Sequence, residues 1–210
     1  MAVRVVLADD HAIVRQGLKS LLEHEGFQIV GEASDGQGAL DSTRNLKPDI
    51  VVMDISMPVL NGIDAARGIA RSHPDVKTIL LTQHDEEQYL SEALDVGVKG
   101  YVLKSQVASD LVKAMWRVSR GEVYLSPGVS NAVMEAYRSK AGKRKDPLTA
   151  RERQVLQLIA EGKSTKDAAS ILGISVKTAE SHRTRLMQKL DIHETATLVL
   201  YAVRHGIVQP

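Results

Sequence analysis

The chain has 210 residues, 43% hydrophobic and 25% charged, which suits one large or two modest globular domains and excludes a disordered chain. There is no cysteine, so disulfides and thiolate metal sites are excluded, and with only 3% aromatic residues any core is aliphatic. The net charge of +1 conceals a split: residues 1–139 carry 14 Lys and Arg against 19 Asp and Glu, and residues 140–210 carry 13 against 7. An acidic part followed by a basic one predicts two domains with different partners, the basic one suited to a polyanion.

The first apolar run is broken by Arg4 and Asp9, too short for a signal peptide. No later run reaches membrane-spanning length, so a cytoplasmic protein with no membrane partner is the expectation. Short β-type runs stand at 3–8, 27–33, 49–54, 76–82 and 98–104, and amphipathic helical stretches separate and follow them. The central runs are apolar on both faces, as parallel strands covered by helices on either side require. Strict alternation predicts an α/β fold, a doubly wound five-stranded parallel sheet, with any site beyond the C-terminal strand ends. Residues 1–121 would form this domain. Residues 122–147 would be a linker holding one helix, "SPGVSNAVMEAYRS", then the basic, turn-rich "KAGKRKDP".

From Leu148 to the end everything reads as helical, a small all-α domain over 148–210. Ser164 with Asp167 forms a capping-box pattern, Ser175 an N-cap, and Gly173 ends one short helix before a three-residue turn to the next. That is the outline of a helix-turn-helix.

The chemistry concentrates at the predicted strand ends. Asp9 and Asp10 end the first strand and Asp54 the third, so three carboxylates can share one crevice. Such repulsion is tolerable where a hard divalent cation such as Mg²⁺ is held, and Mg²⁺ keeps open positions for a phosphoryl group. Thr82 and Lys104 end the fourth and fifth strands, where a hydroxyl and an ammonium could neutralise a phosphoryl group carried by Asp54. His11 stands beside this pocket as loop polarity, and the seven histidines show no paired ligand spacing.

The segments "LADDH", "DISMPVLNG", "LLTQHDEEQYL" and "GYVLK" resemble the receiver domain of two-component response regulators, a flavodoxin-like fold, over residues 3 to 120. The resemblance implies that Asp54 is the phosphoacceptor, that Asp10 and Asp54 bind Mg²⁺ directly, and that Asp9 does so through water with the Ser56 carbonyl. It implies Thr82 as the switch hydroxyl, Lys104 as the phosphoryl partner and Tyr101 as the aromatic that turns inward on activation. Gln83 after the switch threonine and Ser105 after Lys104 depart from the commoner small residue and proline. Residues 148–206 resemble the LuxR-type helix-turn-helix along their length, so the chain is similar to NarL/FixJ-subfamily regulators nearly end to end.

On a helix after Ser175, Val176, Ala179, Leu186, Met187 and Leu190 share a packing face. The opposite face presents Lys177, Thr178, Ser181, Thr184, Arg185 and Gln188, with Glu180 on its border, residue types that read base edges in a major groove. His182 and Lys189 lie at the flanks as phosphate contacts, and Arg183 reads as snorkelling or touching backbone. The last helix carries Leu198, Val199, Tyr201 and Ala202, more apolar residues than a small trihelical core needs; the resemblance implies that it dimerises on a two-fold symmetric double-stranded DNA site. A sensor histidine kinase or small phosphodonor would supply the phosphoryl group. A metal-dependent phosphatase, and a constitutive regulator whose receiver only dimerises, stay open as alternatives.

Overall fold

The computed structural model describes residues 2–83, 87–129 and 147–208, and the chain divides into two compact units. In the first, β1 (Arg4–Ala8), α1 (Ala12–His24), β2 (Gln28–Ala33), α2 (Gly36–Leu46), β3 (Ile50–Asp54), α3 (Gly62–Ser72), β4 (Lys77–Thr82), α4 (Glu87–Val96), β5 (Gly100–Leu103) and α5 (Val107–Ser119) alternate as the sequence predicts. All pairings are parallel and the order is β2-β1-β3-β4-β5, so the winding reverses between β1 and β3 and leaves a crevice at their C-terminal ends.

Alternate strand residues face opposite sides of the sheet. On one side Val5, Leu7, Ile50, Val52, Ile79, Leu81 and Val102 pack with Leu18 and Leu22 of α1 and Leu111, Met115 and Val118 of α5. Val6, Val51, Met53 and Leu80 point the other way and are equally buried, and α2 and α3 cover that face. Trp116 of α5 lies against Phe27, ring centroids 4.8 Å apart, and stays 42% exposed.

The sheet has a sixth strand. β6 (Tyr124–Leu125) pairs parallel with β5, Gly100 opposite Tyr124 and Tyr101 opposite Leu125, and a 3₁₀ turn follows at Pro127–Val129. Sequence reading placed these residues in the linker because a two-residue strand has no periodicity to detect. The helix expected from 126 therefore does not begin there; the rest of it, and the linker to residue 146, fall outside the described residues.

In the second unit α6 (Ala150–Ala160), α7 (Thr165–Ile171), α8 (Val176–Leu190) and α9 (Thr195–Arg204) enclose Leu148, Val155, Leu156, Ile159, Leu186, Ile192, Leu198, Ala202 and Ile207. So small a core depends on its helix ends. Capping boxes close α6 (Thr149 with Glu152) and α7 (Ser164 with Asp167), and the Ser175 side chain accepts from the Thr178 N–H at the start of α8. Gly173, at φ 63°, makes the left-handed turn between α7 and α8. Leu186→Ala, at a fully buried position of α8, is expected to cost the second unit about 2–5 kcal/mol. Thermal unfolding of the full chain should then show a transition for this unit well below an unshifted one for the first.

Candidate functional site

Asp9 directly follows β1 and Asp54 closes β3, the two strands that flank the crevice. Their side chains are 0% and 5% exposed, and the Lys104 ammonium, just past β5, lies 2.8 Å from Asp9 Oδ2 and 2.9 Å from Asp54 Oδ2. A buried carboxylate persists only with a partner, and here one cation serves two. Burial pushes the Asp54 carboxyl up and the charge of Asp9 adds to it; Lys104 and the Ser56 N–H pull it down without cancelling the rise. For Lys104, burial works downward, but hydrogen bonds and charge from Asp9 and Asp54 prevail and hold the ammonium above its ordinary range.

Asp10 pairs with His11. Its side chain is 35% exposed and meets His11 Nδ1 at 2.7 Å, while the His11 N–H donates to Asp9 Oδ1 at 2.8 Å. Asp9, Asp10 and His11 each offer one ligand atom within 4.8 Å of the others. A donor set led by carboxylate oxygens could hold a metal ion. His11 is thereby a pocket residue that sequence reading set aside, since a lone histidine in a loop carries no spacing signal. Arg15, which carries no signal in the sequence, also supports the pocket: its guanidinium donates to the Asp9 carbonyl at 2.6 Å and fixes the end of β1.

Thr82 is buried at the end of β4, one residue past Leu81, the register partner of Asp54. Gln83 beside it is exposed. Tyr101 is 1% exposed, already in the inward position that the sequence reading reserved for the activated protein. Gly62 completes the cradle. Its N–H donates to the Ile55 carbonyl at 2.8 Å, and a Cβ there would stand 2.1 Å from the Asp54 carbonyl oxygen, so only glycine lets α3 start against the strand end.

In the second unit the solvent-facing side of α8 carries Lys177, Thr178, Glu180, Ser181, Thr184, Arg185 and Gln188, all exposed as predicted, with His182 half-buried. Four expectations need correction. Val176 is 42% exposed, because the first turn of α8 projects beyond the core instead of packing on it. Lys189, expected as a phosphate contact, pairs with the buried Glu152 carboxylate at 2.7 Å while its own side chain stays 37% exposed. Arg183 donates to the Thr165 and Thr195 hydroxyls at 3.0 and 2.9 Å, tying the first residues of α7 and α9. Leu198 and Ala202 are fully buried in the unit's own core, and Tyr201 is half-buried and stacked on His205 at 3.8 Å. The apolar face that α9 leaves outward is Val199, Leu200 and Val203, with Leu200 55% exposed.

A lysine-clamped carboxylate pair at the switch point of such a sheet, followed along the chain by a helix-turn-helix, defines the response regulators. Residues 5–115 match the response regulator receiver domain family, and residues 146–202 match the bacterial regulatory proteins of the luxR family. The transcriptional regulatory protein MctR of Rhizobium johnstonii is 42% identical over 98% of this chain and 95% of its own length. The oxygen regulatory protein NreC of Staphylococcus carnosus is 37% identical over 98% and 99%. Among solved structures, RcsB of Salmonella enterica serovar Typhimurium, bound to a promoter in the presence of a phosphomimetic, is 31% identical, covers 96% of this chain and 98% of its own, and aligns with a TM-score of 0.59. The chain belongs to the NarL/FixJ-type two-component response regulators, with a receiver domain and a LuxR-type DNA-binding domain.

The raised Asp54 pKa fixes the sign of a stability change. A carboxyl that holds its proton more tightly folded than unfolded loses stability as pH rises above its ordinary value of 3.8. In metal-free buffer Asp54→Asn is therefore expected to be more stable than the parent at pH 7, and the difference should close as pH falls toward 3.8, read by urea denaturation at several pH values.

Proposed function

We propose that Asp54 accepts a phosphoryl group from the phosphohistidine of a sensor kinase, or from a small acyl phosphate, and that this sets the protein's activity at DNA. The observation that carries the reading is the Lys104 ammonium held between two buried carboxylates, 2.8 and 2.9 Å away. An Asp54 carboxylate oxygen attacks phosphorus, the bond to the donor breaks, and the donor leaves with its electron pair. Lys104 and the Thr82 hydroxyl neutralise the new oxygens. Asp9, Asp10, Asp54 and Ser56 would hold Mg²⁺, which when bound supplies charge neutralisation to the transferring group. Beyond such self-phosphorylation and slow loss of the group, the chain is not an enzyme in this reading.

α8 is the reading helix. Arg185 and Lys177 suit guanine, Glu180 the cytosine amino group, and Ser181, Thr184 and Gln188 several base edges. Dimerisation on a two-fold symmetric DNA site would use the outward face of α9, Val199, Leu200 and Val203, in place of the buried Leu198 and Ala202. Among the described residues no helix is long and apolar enough to cross a membrane. Kinase and DNA partners together point to the cytoplasm as the place of work.

Incubation with acetyl phosphate and Mg²⁺ is expected to add one phosphoryl mass to the parent and none to Asp54→Asn, read by intact mass spectrometry; a gain surviving in the variant overturns the assignment. Arg185→Ala is expected to weaken binding to DNA selected with the phosphorylated protein by about 1–3 kcal/mol, and to relax preference at one base pair, read by competition with single-base variants.

A further inference from the structure

β6 is held to β5 by more than an edge strand requires. Ser126, 1% exposed and just past β6, makes three hydrogen bonds to β5 and α5 at once. Its N–H donates to the Tyr101 carbonyl at 2.9 Å, its Oγ accepts from the Leu103 N–H at 3.3 Å, and its Oγ–H donates to Asp110 Oδ2 at 2.9 Å. Asp110, on α5 and 5% exposed, also accepts from the Tyr124 hydroxyl of β6. Lys113, largely exposed, stands 3.9 Å from it. Val129 is wholly buried and its N–H closes onto the Ser126 carbonyl at 3.0 Å, ending the tied segment.

Covering an open sheet edge needs only backbone pairing and apolar anchors, and Tyr124 and Val129 supply those. A buried carboxylate behind the strand is a costly addition for that purpose alone. What it does is fix the Ser126 hydroxyl at one point, the N–H of the residue before Lys104. The two β5 residues that Ser126 touches are Tyr101 and Leu103, one a switch residue and the other the immediate neighbour of the pocket's cation. Beyond Val129 the chain runs through residues 130–146 to the DNA-binding domain. Ser126 thus stands on the covalent route between the two domains and within one hydrogen bond of the backbone that positions Lys104.

We infer that Ser126, seated by Asp110, is a positioning residue that passes the state of Lys104 to the segment leaving the receiver: when Lys104 moves from the carboxylates toward a phosphoryl group, the Leu103–Ser126 bond opens and the β6 segment loosens. This rests on Asp54 as phosphoacceptor. The Leu103–Ser126 bond is the one to yield, since at 3.3 Å it is the longest of the three.

Hydrogen exchange of the peptide spanning residues 122–129 tests this in the full-length protein, with and without acetyl phosphate and Mg²⁺, intact mass being read on the same samples. Phosphorylation of the parent is expected to speed exchange there about fivefold, the factor matching one lost hydrogen bond. Ser126→Ala should take up phosphate like the parent yet exchange fast in both states, and Ser126→Thr, which keeps the hydroxyl, should restore the response. Lys104→Met should speed exchange with no phosphoryl donor present. Unchanged exchange in a parent whose mass shows the phosphoryl gain overturns the inference, as does a parent-like response in Ser126→Ala. If the parent gains no mass, the phosphoacceptor reading itself fails, and Lys104→Met decides the coupling alone: unchanged exchange there overturns it.

Discussion

One ammonium group between two buried carboxylates is the interaction on which the receiver's geometry turns. Without Lys104, Asp9 and Asp54 would face each other with no cation between them, in a site nearly closed to water at the ends of two directly paired strands. The surrounding structure serves that arrangement. Arg15 fixes the Asp9 carbonyl, the bare Cα of Gly62 lets α3 close over Asp54, and parallel pairing from β1 to β5 brings Lys104 within reach from a strand far along the chain. The pocket is a strained balance of charge, and a group that takes up part of the lysine's attention redistributes it. Such a site is suited to two states separated by a small free-energy difference.

The second unit solves a different problem. With few residues to bury, it relies on capping boxes and on polar ties that span helices. Glu152 is both the capping carboxylate of α6 and the partner of Lys189 on α8, and Arg183 links the starts of α7 and α9. These ties hold α8 by its inward side and leave its polar side to solvent. On α8, Arg183 and Lys189 serve the architecture, while Lys177 and Arg185 face solvent.

Much of this was legible in the sequence where period and position are strict. Strands such as 49–54, apolar on both faces, announce themselves, and because functional groups cluster at strand ends, Asp9, Asp54, Thr82 and Lys104 could be placed before any coordinates. The acidic pair at 9 and 10 was less separable: the chain puts one under Lys104 and gives the other to His11, a distinction set by loop geometry alone. β6 went unseen because its partner, not its composition, makes it a strand. On α8 and α9 helical arithmetic found the faces but not the neighbours. Whether Lys189 meets phosphate or Glu152, and whether Leu198 faces a second copy or its own core, depends on contacts from residues tens of positions away.

The chain's single tryptophan, Trp116, sits half-exposed on α5 against Phe27, and the DNA-binding domain has none. Intrinsic fluorescence of the intact protein is thus a private channel to the receiver. Ultraviolet excitation selective for indole reports events at that helix face, and the helical domain adds no indole emission of its own to that signal.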